Sequence, residues 1–195
     1  MFKTEILSEK QKKLFHTFTE TDWLSAYYLA GGTALALYFG HRKSDDFDFF
    51  INGKLNNTEI KNNLSHTFKY QILSEDKNTL YVSIDEIRVS FIGYEYDLLE
   101  KTNSEKFLSV AGLKDIACMK LSSISSRGSK KDFFDPFYIL KKINLDELIE
   151  LFKIKFGKDF LNKYQILKSL LYFEDADKEP DLILTEKEYI QRWVI

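Results

Sequence analysis

Cysteine and histidine are scarce in this chain, and each scarcity excludes a class of site. The single Cys118 excludes internal disulfides and zinc sites built from several cysteines. It lies on the apolar side of a predicted helix, which favours a core position over a nucleophile. The three histidines, His16, His41 and His66, are too few and too scattered for a histidine-built metal centre. We interpret His41 as structural or adjacent to a substrate.

Long apolar runs and a strong charge imbalance are missing as well. The sequence contains no run of about 18 apolar residues, so it predicts no membrane span. The charged start, MFKTEILSEKQKKLF, lacks the apolar core of a signal peptide. We therefore expect no membrane contact and a cytoplasmic location. The net charge of −2 predicts no general attraction to nucleic acid. Residues 114–142 are the exception, with seven basic and three acidic side chains, and this stretch weakly favours RNA as a partner.

The order of predicted elements indicates the fold class. A length of 195 residues with 44% apolar content is enough for one sizeable core. The residue patterns predict strands at 25–30, 47–51, 68–74, 79–84 and 87–94, and helices at 7–19, 33–39, 58–67, 113–125, 131–142, 145–156, 159–172 and 185–194. A mixed β-sheet with flanking helices comes first and a helical half follows, so the class is α+β or α/β. We place the α/β core at residues 1–108 and a helical subdomain that completes a cleft at residues 109–195.

Several boundaries follow from local signals. Ser8 is a suitable N-cap for the first helix. Asp135 is a suitable N-cap for a helix restarted at Pro136, since proline favours the first helical position. Residues 85–86 predict a hairpin turn, and residues 99–106 are polar and predict a loop.

One stretch, GGTALALYFGHRKSDDFDFF at residues 31–50, combines features of a metal–nucleotide site. A glycine turn leading into a helix N-terminus is suited to phosphate. Asp46 and Asp48 lie two residues apart on a predicted strand and share one face, while Phe47 and Phe49 point to the other. Two carboxylates on one face repel each other unless a cation lies between them. Mg²⁺ prefers such oxygen ligands together with substrate phosphates.

Each part of this pattern also has an ordinary structural explanation. Asp-x-Asp is common at solvated strand ends, and a Gly-Gly pair is usually only a turn. The combination at this spacing, with apolar residues flanking each aspartate, is the specific signal.

The stretch resembles the first motif of the nucleotidyltransferase fold, and its form GGTALAL…GHR.S.D.D resembles the AbiEii/AbiGii toxin family of nucleotidyltransferase-like proteins. A second block, KDIACMKLSSISSRGSKKDFFDPFYIL, resembles that family's later motif, with a lysine on a helix, then an arginine, then Lys-Asp at the start of the next helix. The likeness covers roughly residues 25–142. It implies a Mg²⁺-dependent (or Mn²⁺-dependent) enzyme that transfers a nucleotide from an NTP to an acceptor hydroxyl, either a tRNA 3′ end or a protein side chain. It also implies a toxin–antitoxin or phage-defence role with a cognate antitoxin.

The resemblance assigns roles residue by residue. The metal ligands are Asp46 and Asp48. The nucleotide-binding residues are Gly31, Gly32, Thr33, Arg42, Ser44, Arg127 and Lys131. The catalytic residues are Asp46, Asp48, Lys120 and Asp132, with Asp132 as the acid–base or positioning residue. Arg42 either meets the phosphates or locks the motif loop.

The sequence departs from the pattern at one position. Nucleotidyltransferases usually carry a third carboxylate on a later strand, and the corresponding position in IRVSFI is Ser90. This leaves three hypotheses: a nucleotidyltransferase, a catalytically degenerate nucleotide-binding or interaction module, and a metal-dependent nucleotide hydrolase.

Two residues of the second block also have structural explanations. Lys120 is suited to the edge of an amphipathic helix, where it could extend its ammonium to solvent. Asp132 is suited to offsetting the helix dipole. We interpret the aromatic residues as core rather than as an RNA-stacking platform.

Overall fold

The computed structural model describes residues 2–126, 129–157, 160, 163–171, 178–180 and 182–185. Within them the α-helices are α1 (Glu9–Glu20), α2 (Gly31–Phe39), α3 (Asn57–Thr67), α4 (Leu113–Ser126), α5 (Lys130–Leu140), α6 (Leu145–Phe156) and α7 (Lys163–Leu171). The strands are β1 (Tyr28–Ala30), β2 (Phe47–Asn52), β3 (Tyr70–Asp76), β4 (Thr79–Ile84), β5 (Ile87–Tyr94), β6 (Asn103–Glu105) and β7 (Leu108–Val110). No helix within these ranges is long and apolar enough to cross a membrane.

The strands form one mixed sheet in the order β3-β4-β5-β2-β1-β7-β6. Strand β2 pairs parallel to β5 and antiparallel to β1, and β1 pairs parallel to β7. The predicted α+β class, with a mixed sheet followed by a helical region, is confirmed. The predicted domain boundary at residue 108 falls inside β7, and the division into two units stays a prediction.

One face of β2 forms the centre of the core. Phe47 and Phe49 are fully buried and pack edge-to-face against Phe18 of α1, with ring centroids 5.3 and 5.1 Å away. Because side chains alternate along a strand, Asp46 and Asp48 are turned to the opposite side. The predicted segregation of phenylalanines from aspartates is confirmed.

Local signals placed several boundaries correctly. Ser8 caps α1 through a capping box with Gln11. Asp85 and Glu86 form the β4–β5 turn with φ of 52° and 69°, which is the left-handed geometry that a tight hairpin of this kind requires.

Other boundaries were wrong. Residues 22–26 are a 3-10 helix, so the predicted strand is reduced to β1. The predicted loop contains β6, because residues 103–105 pair with β7. Helix α5 begins at Lys130 and runs through Pro136, so Asp135 is not an N-cap. The predicted C-terminal helix beyond Thr185 lies outside the described residues, as do parts of the one predicted at 159–172.

A buried ion pair ties α6 to α4. Lys155 Nζ lies 2.7 Å from Oδ1 of Asp115, and neither side chain is exposed. Lys155 also donates to the carbonyl of Asp97 at 2.7 Å, and the Asp115 carboxylate accepts from the backbone N–H of Leu99 and Glu100. These bonds satisfy both buried charges, as such pairs require, and they fix the helical region to the loop that follows β5.

Candidate active site

A cavity of about 290 Å³ opens on the aspartate side of the sheet. Its floor comes from β2, β4 and β5, and its walls from the start of α2 and from α4 and α5. The lining residues are Gly31, Gly32, Arg42, Ser44, Asp46, Asp48, Phe50, Tyr81, Arg88, Ser90, Ile92, Met119, Lys120, Ser123 and Lys131.

Two carboxylates meet on the cavity floor. Burial raises the pKa of Asp48, and the neighbouring Asp46 carboxylate raises it further, while a hydrogen bond from Ser90 and the charges of Lys120 and Lys131 lower it. A carboxylate whose ionisation is disfavoured by burial and by a neighbouring carboxylate is a donor that a divalent cation would stabilise. The residues therefore fit Mg²⁺ or Mn²⁺, with Asp46 and Asp48 as ligands.

Ser90 occupies the position next to this pair. It is the register partner of Asp48 across the parallel β2–β5 pairing, it is 1% exposed, and its hydroxyl donates to the Asp48 carboxylate. Ser90 thus places a hydroxyl at the position where nucleotidyltransferases usually carry a third carboxylate. Within the described part of the chain, no cluster of three or more His, Cys, Asp or Glu side chains forms a candidate metal site.

The start of α2 presents backbone N–H groups to the same cavity. Its N-cap residue is Ala30, which provides no side-chain cap, so the first N–H groups are available for an anion. Gly31 has φ of +72°, and a Cβ there would lie 2.6 Å from Oδ2 of Asp48. A Cβ on Gly32 would lie 2.8 Å from Nη2 of Arg42. Both glycines are therefore required for the close approach of α2 to these charged groups.

Asp135 holds the cationic side of the cavity together. Its carboxylate accepts from Nε and Nη2 of Arg42 at 2.7 and 2.8 Å and bonds to Nε2 of His41 at 2.8 Å. Nζ of Lys120 lies 2.6 Å away. The side chain is fully buried, which alone would raise its pKa, but Lys120, Arg42 and His41 together hold the pKa of Asp135 well below its usual range. Our interpretation of Asp135 as a cap was wrong, because it is the shared counter-charge of Arg42 and Lys120 and also binds the His41 ring.

The contacts of Lys120 exclude the edge-lysine interpretation. Its side chain is 5% exposed, and Nζ lies 3.3 Å from Oδ1 of Asp132 as well as close to Asp135. Asp132 is itself fully buried and accepts from the hydroxyl and N–H of Ser129 in a capping box at the start of α5. The basic stretch at 114–142 is therefore not one solvated face, since part of its charge is neutralised inside the protein.

The structure brings together most of the residues that the sequence singled out. Those that line the cavity are Gly31, Gly32, Arg42, Ser44, Asp46, Asp48, Lys120 and Lys131. Two others lie behind the lining: Thr33 is buried and its hydroxyl donates to the carbonyl of Asp46, and Asp132 contacts Lys120. Arg127 lies outside the described residues. The roles assigned to all of these residues stay predictions.

Tyr81 and Arg88 are among the lining residues that the sequence did not single out. The guanidinium of Arg88 lies 4.6 Å from the ring centroid of Tyr81, so one aromatic–basic pair does face the cavity. The signal was available, because Arg88 and Ser90 share a face of β5 by alternation, and Tyr81 is the register partner of Ser90.

Comparisons with known proteins agree with this architecture. A family model described as "Nucleotidyl transferase AbiEii toxin, Type IV TA system" matches residues 12–99. An uncharacterized protein of Aquifex aeolicus, aq_aa25, is 39% identical over 179 residues, which are 89% of this chain and 86% of that protein.

Two solved structures share the fold at low identity. JHP933 from Helicobacter pylori superposes with a TM-score of 0.52 and 17% identity, covering 88% of this chain and 95% of that one. The antibiotic-resistance factor ANT(2'')-Ia superposes with a TM-score of 0.57 and 12% identity, covering 76% of this chain and 92% of that one. At these identities the likeness shows the fold, a nucleotidyltransferase-like α+β arrangement.

Proposed function

The chain belongs to the AbiEii nucleotidyltransferase toxin family, and from this premise we propose that it transfers a nucleotide from an NTP to an acceptor hydroxyl with Mg²⁺ or Mn²⁺ as the cofactor. One observation carries the proposal. A single cavity contains the Asp46–Asp48 pair, the uncapped start of α2 and the cationic side chains of Lys120 and Lys131.

Different residues of the chain bind different parts of the NTP donor. The first N–H groups of α2 receive the phosphates, and Lys131 offsets their charge. Lys120 also lines the cavity, but its contacts with Asp135 and Asp132 neutralise part of its charge. Asp46 and Asp48 would hold the metal, which would supply further positive charge near the reacting phosphate. Arg42 gives two of its N–H groups to Asp135 and a third to the carbonyl of Lys43. This commitment supports a role for Arg42 in locking the motif loop rather than in contacting phosphate.

The family supports a biological role, which we also propose for this chain. It would act as the toxin of a type IV toxin–antitoxin system, with a cognate antitoxin as partner and with phage defence as one outcome. A tRNA 3′ end and a protein side chain are the two candidate acceptors.

A second candidate function is favoured by Ser90. With a hydroxyl instead of a third carboxylate beside Asp48, a second metal has no additional protein ligand at this position. A degenerate module would bind nucleotide with little dependence on metal and would form no product with any acceptor.

Transfer of label distinguishes the two functions. Each α-³²P-labelled NTP is incubated with Mg²⁺ and total RNA or total protein, using wild type, the Asp46→Asn/Asp48→Asn variant and Asp85→Asn as a matched control on an exposed turn. We expect label on one class of macromolecule with wild type and the control, and none with the double variant. Nucleotide binding without label transfer would refute the enzyme and support the degenerate module. Release of free nucleotide or phosphate without labelling a macromolecule would indicate hydrolysis.

A further inference from the structure

Tyr81 and Arg88 form a pair on the cavity floor that the donor-binding residues do not include. Tyr81 is in register with Ser90, and Ser90 is in register with Asp48, so the three side chains cross the sheet in one row. Neighbouring strands are about 4.8 Å apart, which places the Tyr81 strand about 10 Å from the Asp48 strand. Arg88 is exposed, Tyr81 is partly exposed, and both line the cavity.

The sheet order separates this pair from the start of α2. Helix α2 follows β1, which flanks β2 on one side, while β5 and β4 flank it on the other. In a phosphoryl-type transfer the attacking and leaving oxygens lie roughly in line on opposite sides of the phosphorus. If the triphosphate lies at the start of α2, pyrophosphate leaves toward α2 and the acceptor approaches over β5 and β4.

The chemistry of the acceptor step determines which group the protein must hold over β5 and β4. The acceptor oxygen forms a bond to the α-phosphorus while the bond from that phosphorus to the bridging oxygen breaks. Pyrophosphate leaves with the electron pair, and the hydroxyl proton passes to solvent. The chain segment that carries the hydroxyl therefore has to be positioned over Ser90 and beyond it.

We propose that Tyr81 and Arg88 are the acceptor-binding subsite and that they take the end of a single-stranded RNA, an inference that rests on the proposed transferase function. A tyrosine face is a platform for a base, and base–aromatic stacking tolerates any sequence. The N–H groups of a guanidinium lie in its own plane, so a guanidinium that packs on a ring can still make bidentate contact with a phosphate. A protein hydroxyl brings neither a base nor a phosphate to this pair.

RNA binding in the absence of NTP tests the subsite directly. The probe is a fluorescein-labelled single-stranded RNA of about 12 nucleotides with a free 3′ hydroxyl, and the readout is fluorescence anisotropy with wild type, Tyr81→Ala, Tyr81→Phe and Arg88→Ala. The matched controls are Tyr164→Ala, which removes a tyrosine that is 74% exposed, and Lys69→Ala, which removes an exposed positive charge. Neither control residue lines the cavity.

We expect Tyr81→Ala and Arg88→Ala each to weaken RNA binding by about tenfold or more, while Tyr81→Phe and both controls stay near wild type. NTP binding, measured by calorimetry, should be unchanged in every variant. Equal loss of NTP binding would assign the pair to the donor, and RNA binding that is absent in wild type or unaffected by the variants would refute the subsite. Label on a protein with Tyr81→Ala as active as wild type would show a protein acceptor instead. Since RNA binding needs no turnover, loss of transferase activity and loss of this subsite are seen separately.

Discussion

Replacement of Asp135 by asparagine should destabilise the protein strongly. The change keeps the size of the side chain but leaves Arg42 and Lys120 as buried cations without their shared anion. Hydrogen bonds to charged groups contribute about 1.5–3 kcal/mol each, and breaking a buried ion pair by removing one partner costs about 3–5 kcal/mol. The asparagine oxygen still accepts one bond and Asp132 still lies near Lys120, so we expect the low end, about 3 kcal/mol. Asp135→Ala should lower the free energy of unfolding further, since the side chain at position 135 then has no hydrogen-bond acceptor.

Urea unfolding followed by circular dichroism measures this loss. With an m-value of about 2 kcal/mol per molar urea, a loss of about 3 kcal/mol lowers the midpoint by about 1.5 M. The matched control is Asp85→Asn in the exposed β4–β5 turn, where asparagine tolerates positive φ and a surface change stays within about 0.5 kcal/mol. If Asp135→Asn and Asp85→Asn unfold at the same midpoint, Asp135 is not the counter-charge that the geometry indicates.

Three further predictions concern the cavity and its surroundings. Gly31→Ala should abolish binding of nucleotide with Mg²⁺ in calorimetry, because the new Cβ would displace the carboxylate of Asp48. The control Gly53→Ala, also at positive φ but with open space around it, should bind nucleotide normally. Normal binding by both variants would contradict this prediction. Ser90→Asp should make thermal stability depend on Mg²⁺ or Mn²⁺ more steeply than in wild type, since a third acid joins Asp48; an unchanged response to metal would contradict it. Burial lowers the pKa of His41 in the folded protein despite its bond to Asp135. As pH falls, the His41 imidazole is therefore protonated first in the unfolded chain, which favours unfolding. The contribution of neutral His41 to stability is complete above a pH of about 6.5 and is lost as pH falls below it. Urea midpoints at pH 7 and pH 5 should therefore differ more in wild type than in His41→Gln, and equal differences would contradict the assignment.

Strand alternation and turn chemistry were readable from the sequence. The period of two placed Asp46 and Asp48 opposite Phe47 and Phe49, because one face of β2 is core and the other is cavity. The capping box at Ser8 is formed within four residues and is decided locally. The sequence therefore predicted the Asp46–Asp48 part of the floor, but it began the helix at Thr33, whereas α2 begins at Gly31.

What failed depends on contacts distant in the chain. Asp135 directly precedes a proline, which favours a helix start, and only the fold shows that its partners lie 93 and 94 residues earlier. Strand β6 has three exposed polar residues and no apolar alternation; it exists because β7 offers it backbone hydrogen-bond partners. Tyr81 and Arg88 became neighbours of the aspartates only through the sheet register.

The bonds between Asp135 and Arg42 make one wall of the cavity depend on a segment that is synthesised long after the cavity floor. The carboxylates and the start of α2 leave the ribosome early, but the anion that neutralises Arg42 and Lys120 follows only at residue 135 of 195. Chains fold from the N-terminus as they are made, and contacts between distant residues are the slow ones. A chain without α5 would carry Asp46 and Asp48 but would lack the carboxylate that neutralises Arg42 and Lys120. The acidic floor of the cavity and the neutralised basic wall are therefore made at different times, with the floor residues first.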